Sequence, residues 1–251
     1  MFSNKKSQIL FSVVAAAGLW LLLIVLGFLV PNDTQLYRFI EVLGGTSRGV
    51  IQAMIYCVFI YSLFELRAKR SYIQEQQEGF HLGLLPLQDQ LVISPEEVAQ
   101  IKLKTLKLEK TGHMTMVGDF VKKACTQYRN DNSVGETLQV FNAQVDVSKE
   151  AMEGDLEIVR YLLSAIISLG FIGTLIGLSG SIGLAHLSKT AEGMPIITQS
   201  LNVAFDTTLV ALLAGLILNF LYHRYLKEMD TFYSEAKSYV INNLISRIYV
   251  A

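Results

Sequence analysis

Four stretches of this chain, 9–30, 48–66, 161–187 and 196–222, are apolar over lengths that belong in a bilayer. A helix needs roughly 20 predominantly apolar residues to cross the hydrocarbon. Backbone groups in that solvent must pair internally, so runs of this kind without alternation read as helices. The expected fold is an all-α membrane protein with four transmembrane helices. Composition agrees: 51% of residues are hydrophobic and 17% charged, which excludes an ordinary soluble enzyme. In the second stretch the predominantly apolar part, 49–64, is only 16 residues long. That span is expected to borrow its flanks and to let Arg48 and Arg67 snorkel.

Lys5-Lys6 followed by an apolar run imitates a cleavable signal peptide. The run of 22 residues is too long for one, and no small-residue cleavage site precedes Pro31. The first stretch is therefore read as a retained span. With four crossings, 18 of the 21 Lys and Arg residues fall on one side, the largest share between Arg67 and Arg160. The positive-inside rule then makes both termini and the central region cytoplasmic, with Arg67-Ala68-Lys69-Arg70 fixing the orientation most directly.

Three segments follow: a transmembrane hairpin over 1–66, a cytoplasmic helical region over 67–132, and a domain over 133–251 containing the last two spans. In the middle segment Ser94-Pro95-Glu96-Glu97 supplies a capping hydroxyl, a proline at the first helical position and a carboxylate three residues on. A helix is predicted from there to Lys110, with Val98, Ile101 and Leu108 inward and Lys102, Lys104 and Lys107 toward water. Thr111-Gly112 breaks it, and a second helix is predicted over 114–129.

Ser133 with Glu136 repeats the capping pattern, and no proline intervenes before span three. One helix is predicted over 134–187, its seam formed by Leu138, Phe141, Val145, Ser148, Met152, Asp155 and Val159 at steps of three and four. Beyond Tyr222, a second stripe of Leu226, Met229, Phe232, Tyr233, Ala236, Val240, Leu244 and Ile248 extends span four. Both long helices are expected to extend into the cytoplasm and pair antiparallel there.

The informative residues are the small and polar ones inside spans three and four. Gly170, Gly173, Gly177, Gly180 and Gly183 form a stripe that lets a neighbouring backbone approach, with Thr174 and Ser181 along its border. Ala204, Thr208, Ala211 and Gly215 form a matching seam in span four; Thr207 lies about 100° away on another face with Ser200. Thr174 lies 13 residues before Leu187 and Thr208 lies 12 after Ile196, so antiparallel packing puts the two hydroxyls at similar depth. Either could instead bond back to a carbonyl of its own helix. Asp206 is the acid well inside a predicted span, preceded on its face by Gln199 and Asn202. A functional role is the default for such a residue; the alternative is an interfacial acid paired with Arg48 or Lys189. Thr174, Thr208, Ser181, Asp206 and Thr207 are thus the candidate lining of an ion path, and the small residues its helix-packing surface. His186, at the outer end of span three, reads as a boundary residue.

Chemistry of other classes finds no signature. There is no phosphate loop, nucleophile elbow or zinc-spaced histidine pair, and Cys57 and Cys125 are too isolated for a framework. No enzymatic activity, cofactor or metal is expected, and a net charge of -1 gives no sign of nucleic-acid binding. A secondary transporter is disfavoured because no internal repeat or broken helix pair is visible. A membrane scaffold, in which the polar residues serve only assembly, is the other alternative.

Gly170-Phe171-Ile172-Gly173-Thr174-Leu175-Ile176-Gly177-Leu178 resembles the Gly-Leu-Phe-Gly-Thr-Val-Trp-Gly-Ile signature of the MotA/TolQ/ExbB proton-channel family. Ala204-Phe205-Asp206-Thr207-Thr208-Leu209-Val210-Ala211 resembles that family's following span, Ala-(Leu/Phe)-X-Ala-Thr-Ala-Ile-Gly. The resemblance covers roughly 133–227 and places Thr174 and Thr208 on the family's two channel threonines. It implies a bacterial inner-membrane protein forming a ring of five copies around a dimer of a single-span partner of the MotB/TolR/ExbD type. The partner's membrane aspartate would carry the ion, proton or sodium, and ion flow would turn the ring. Two features depart from the pattern: Ser168-Leu169 stands where a proline usually precedes the first motif, and Asp206 stands where the family has an apolar or small residue. The four-span layout is that of the flagellar stator branch, whereas the motifs are closer to TolQ and ExbB.

Overall fold

At least three of the helices begin where a side chain satisfies one of the first free amides. Thr34 accepts from the Tyr37 amide at 3.2 Å and opens α2, Gln35–Val42. Ser94 and Glu97 exchange the two hydrogen bonds of a capping box and open α4, Pro95–Lys110. Thr115 caps α5, Met116–Asp131, which ends on Asn132 in the left-handed conformation that asparagine tolerates at this position. The remaining helices are α1, Lys5–Leu29; α3, Val50–Gln77; α6, Val134–Gly183; and α7, Gly193–Asn243. The computed structural model describes residues 5–31, 34–45, 49–86, 92–112, 114–190 and 193–248. Arg48 lies outside them.

Four of these helices are long and apolar enough to cross a membrane, and no strand occurs among the described residues. Helix α3 shows how the short second run becomes a span. Its polar residues after Phe64 continue the same helix, which reaches 28 residues. The predicted helix over 134–187 ends at Gly183 and gives way to a short 3₁₀ turn, Ala185–Leu187. Between the first two spans lies α2, which the hydropathy pattern leaves as a loop.

The chain divides into two compact units. One comprises residues 1–67 and 158–223. Its core joins Ile55 of α3, Ile166 of α6, and Val210, Ala211, Ala214 and Leu218 of α7. Large apolar side chains such as Phe171, Ile182, Leu216 and Phe220 face outward, as helices surrounded by lipid or by further helices require.

The other unit comprises residues 68–157 and 224–251. Here α6 and α7 run antiparallel: Lys237 meets Asp146 at 2.9 Å, Ser148 meets Tyr233, and Lys149 meets Asp230 at 2.7 Å. Arg70 holds Glu228 through two hydrogen bonds of 2.8 and 2.7 Å. Phe120 of α5 packs edge-on against Phe141 of α6, and Phe232 and Tyr233 of α7 complete the aromatic core. The α6 seam departs from the predicted one near its end: Asp155 is exposed, and Leu156 is buried in its stead. A straight helix of 3.6 residues per turn drifts about 20° per seven residues off a 3.5-residue repeat. Over the stretch from Leu138 to Asp155 this adds up to about half the 100° step between successive residues, which turns Leu156 inward and Asp155 outward.

Cys125 sits fully buried in this core. Burial pushes its thiol up from 9.0 to about 12, against a weaker opposing pull from Lys102. The neutral thiol should resist iodoacetamide at pH 8 in the native protein and react on unfolding; native alkylation at the rate of a free thiol would contradict this. The linked stability is intact below pH 9 and is lost as pH rises toward 12.

Candidate functional site

The site is the facing surface of α6 and α7 in the first unit, and three glycines set its spacing. A Cβ added at Gly170, Gly173 or Gly177 would sit within 3.0 Å of Ala211, Thr207 or Ala204 respectively. Small residues on both sides therefore bring the two backbones together, as expected where helices must associate in lipid by close packing. The stripe ends there within the chain. A Cβ on Gly180 would lie 3.9 Å from Ser200, Gly183 has nothing within 4 Å, and Gly215 has Ile167 at 3.5 Å.

Close approach puts the hydroxyls of one helix within reach of the carbonyls of the other. Thr208 Oγ1 donates to Gly170 O at 3.0 Å, across the interface. Thr174 Oγ1 lies 3.2 Å from Ala204 O on α7 and 3.3 Å from Gly170 O on its own helix, and it is hydrogen-bonded to Thr208 Oγ1. Ser181 repeats the arrangement nearer the turn, reaching Gly177 O at 3.0 Å and Ile197 O on α7 at 3.3 Å. The contrast with other hydroxyls in long helices is informative. Ser12, Ser62, Ser168 and Thr198 each bond the carbonyl four residues back.

Thr174 and Thr208 are half-buried. Each hydroxyl has one proton and two lone pairs, so the pair presents acceptor oxygens at the edge of the helix interface. Thr207 occupies a different place from the one its helical angle implied. It is fully buried against Gly173, with its hydroxyl donating to Ala204 O at 2.9 Å. The glycines allow α7 to approach so closely that two successive residues, Thr207 and Thr208, both enter the interface. Ser200 is drawn in the same way, next to Gly177.

Asp206 is 5% exposed and, among the described residues, its cationic partner is not Lys189; Arg48, the other expected partner, lies outside them. Arg38 of α2 grips it with two hydrogen bonds, Nη1 to Oδ2 at 2.9 Å and Nη2 to Oδ1 at 2.7 Å. The same Nη1 also donates to Glu41 at 2.9 Å. A fork of this geometry is the strong form of a carboxylate pair. The sequence carried a signal for the short helix alone, with Thr34 as a cap and Arg38 and Glu41 three residues apart, and none for its pairing with Asp206. A further buried acid lies near the end of predicted span two, just past its apolar run 49–64, where Glu65 accepts from Tyr61 Oη at 2.9 Å. His186 stands apart, exposed, with Nδ1 3.1 Å from Gly183 O.

Beside the hairpin, α3, α6 and α7 enclose an apolar groove of about 690 Å³ bordered by Met54, Ile172, Ile176, Gly177, Ser200 and Val203. In comparison with known families, residues 113–237 match the MotA/TolQ/ExbB proton channel family. The match contains the whole hairpin, both threonines and Asp206. No curated protein and no solved structure matches the chain.

Proposed function

Because residues 113–237 form a domain of the MotA/TolQ/ExbB proton channel family, we propose that this chain is the ring-forming subunit of an ion-driven rotary transducer. It is a channel-type membrane subunit of an energy-transducing complex, a family role that involves no enzymatic step. In the full proposal, five copies surround a dimer of a single-span partner whose membrane carboxylate carries a proton or sodium ion. The complex sits in a bacterial inner membrane, with both termini and the second unit on the cytoplasmic side, where 18 of 21 cationic side chains would lie. Ion passage turns the ring, and the partner transmits the work.

The observation that carries this reading is the Thr174–Thr208 pair, hydrogen-bonded across the helix interface and still half-exposed. Hydroxyl oxygens can ligate an ion transiently or steady a carboxylate, but at neutral pH they cannot themselves store a proton. Such a wall suits a carrier acid on another chain. Ser181 extends the same lining toward the turn. Thr207, fully enclosed by Gly173, holds the helices together, and Asp206 is already occupied by Arg38.

The test is ion flux into membrane vesicles containing the chain with the single-span protein that co-purifies with it. Thr208→Val and Thr174→Val should each cut flux about tenfold, because losing one oxygen contact costs about 1.4 kcal/mol in the barrier. Thr208→Ser should restore most of it. Undiminished flux in both valine variants, with the complex intact, would leave the scaffold reading.

A further inference from the structure

We propose that Arg38 is a positioning residue of this hairpin, acting through Asp206 to fix the rotation of span four so that Thr208 faces Thr174. The argument begins at the far end of α2. Tyr56 Oη of α3 donates to Leu43 O at 2.8 Å, and Trp20 Nε1 of α1 donates to Gly44 O at 3.0 Å. Gly45 lies so close to α1 that a Cβ on Gly27 would meet Gly45 O at 2.7 Å. The C-terminal end of α2 is therefore anchored to the first two spans. Arg38, five residues before Leu43 in the same short helix, is an arm with a fixed base.

That arm reaches span four on the side away from the hairpin. Successive helical residues are 100° apart, so Asp206 and Thr208 point about 200° from each other. Thr208 and Thr207 face the glycines of α6, while Asp206 faces Arg38. Span four is thus held from two opposite sides. Turning it about its axis would pull Asp206 from a two-pronged pair as well as Thr208 from Thr174. The fork matters, because an arginine holding both carboxylate oxygens defines an orientation that a single point charge does not. Arg38 also donates to Glu41, which fixes the guanidinium on its own helix.

The consequence for ion flux rests on the function proposed above, whereas the geometry is testable without it. The reporter is disulfide formation in Thr174→Cys/Thr208→Cys, in the purified full chain with Cys57→Ser and Cys125→Ser. Arg38→Gln and Asp206→Asn should each slow cross-linking about fivefold, a coupling typical of residues in direct contact. The exchanged pair, Arg38→Asp with Asp206→Arg, should restore it, and Arg38→Lys should fall between. An unchanged rate in Arg38→Gln overturns the proposal, and so does a rate that falls only in Asp206→Asn. If Arg38→Gln does not accumulate, Arg38→Lys is judged by the same criteria. Loss of the ion-flux reading would leave the cross-linking result standing, since no ion needs to move.

Discussion

Gly177→Ala should cost the chain the packing of its third and fourth spans, while Gly180→Ala, three residues on, should leave it unchanged. At Gly177 the new Cβ would lie 2.6 Å from Ala204 Cβ, 2.8 Å from Ala204 N and 2.8 Å from Ser200 O. Two of these neighbours are backbone atoms, which cannot rotate aside. The helices must separate, and Thr208 would then lose Gly170 O and Thr174 would lose Ala204 O. Overpacking typically costs about 1–3 kcal/mol; a backbone obstacle together with two lost hydrogen bonds places this variant at or above the upper end. Alanine favours a helix interior over glycine by about 0.5–1 kcal/mol, which partly offsets the clash at Gly177. At Gly180, where Ser200 would be 3.9 Å away, that gain meets no obstacle. Yield of monodisperse protein and its thermal midpoint in detergent decide the matter. Equal behaviour of the two variants would mean that close approach at Gly177 does not set the interface.

What the sequence discloses here depends on the range of the interaction. The capping box at Ser94 and Glu97 is local, and so is the hydropathy of the four long helices; each is readable without knowing what packs against it. The depth of Thr174 relative to Thr208 is nearly as local, because two straight helices with the same rise per residue keep step on either side of a turn. The neighbourhood of Thr207 is another matter. An angular count assigns it a face, but the absence of side chains at Gly173 and Gly177 widens the interface until that face is included. Asp155 fails for a related reason: the buried line drifts along a straight helix, and Leu156 takes the inward place. Least legible is Asp206. Its partner is 168 residues away, on a helix of eight residues that hydropathy cannot detect.

Removing Arg38 should destabilise the first unit far more than removing Asp206, although both changes break the same bonds. The asymmetry follows from exposure: the side chain of Asp206 is 7% exposed and that of Arg38 is 43% exposed. In Arg38→Leu a carboxylate is left buried with no cation, the situation for which breaking a buried pair costs about 3–5 kcal/mol. Partial exposure of the site at the Arg38 end lowers the expectation to about 2–4 kcal/mol. In Asp206→Leu the guanidinium keeps Glu41 and its contact with water, so the loss should be nearer 1 kcal/mol. The double replacement, Arg38→Leu with Asp206→Leu, removes both charges from a low-dielectric setting. It should recover much of the stability lost in Arg38→Leu, because a paired charge replaced by apolar groups is often close to neutral. Denaturant or thermal unfolding of the four proteins in one detergent gives the cycle. Comparable losses in the two single variants would place Asp206 in contact with water, and additive losses in the double variant would show that the two residues are not energetically coupled. The same cycle separates stability from alignment. A double variant that regains its thermal midpoint but still cross-links slowly between positions 174 and 208 would show that the forked pair contributes orientation beyond the energy of burying its charges.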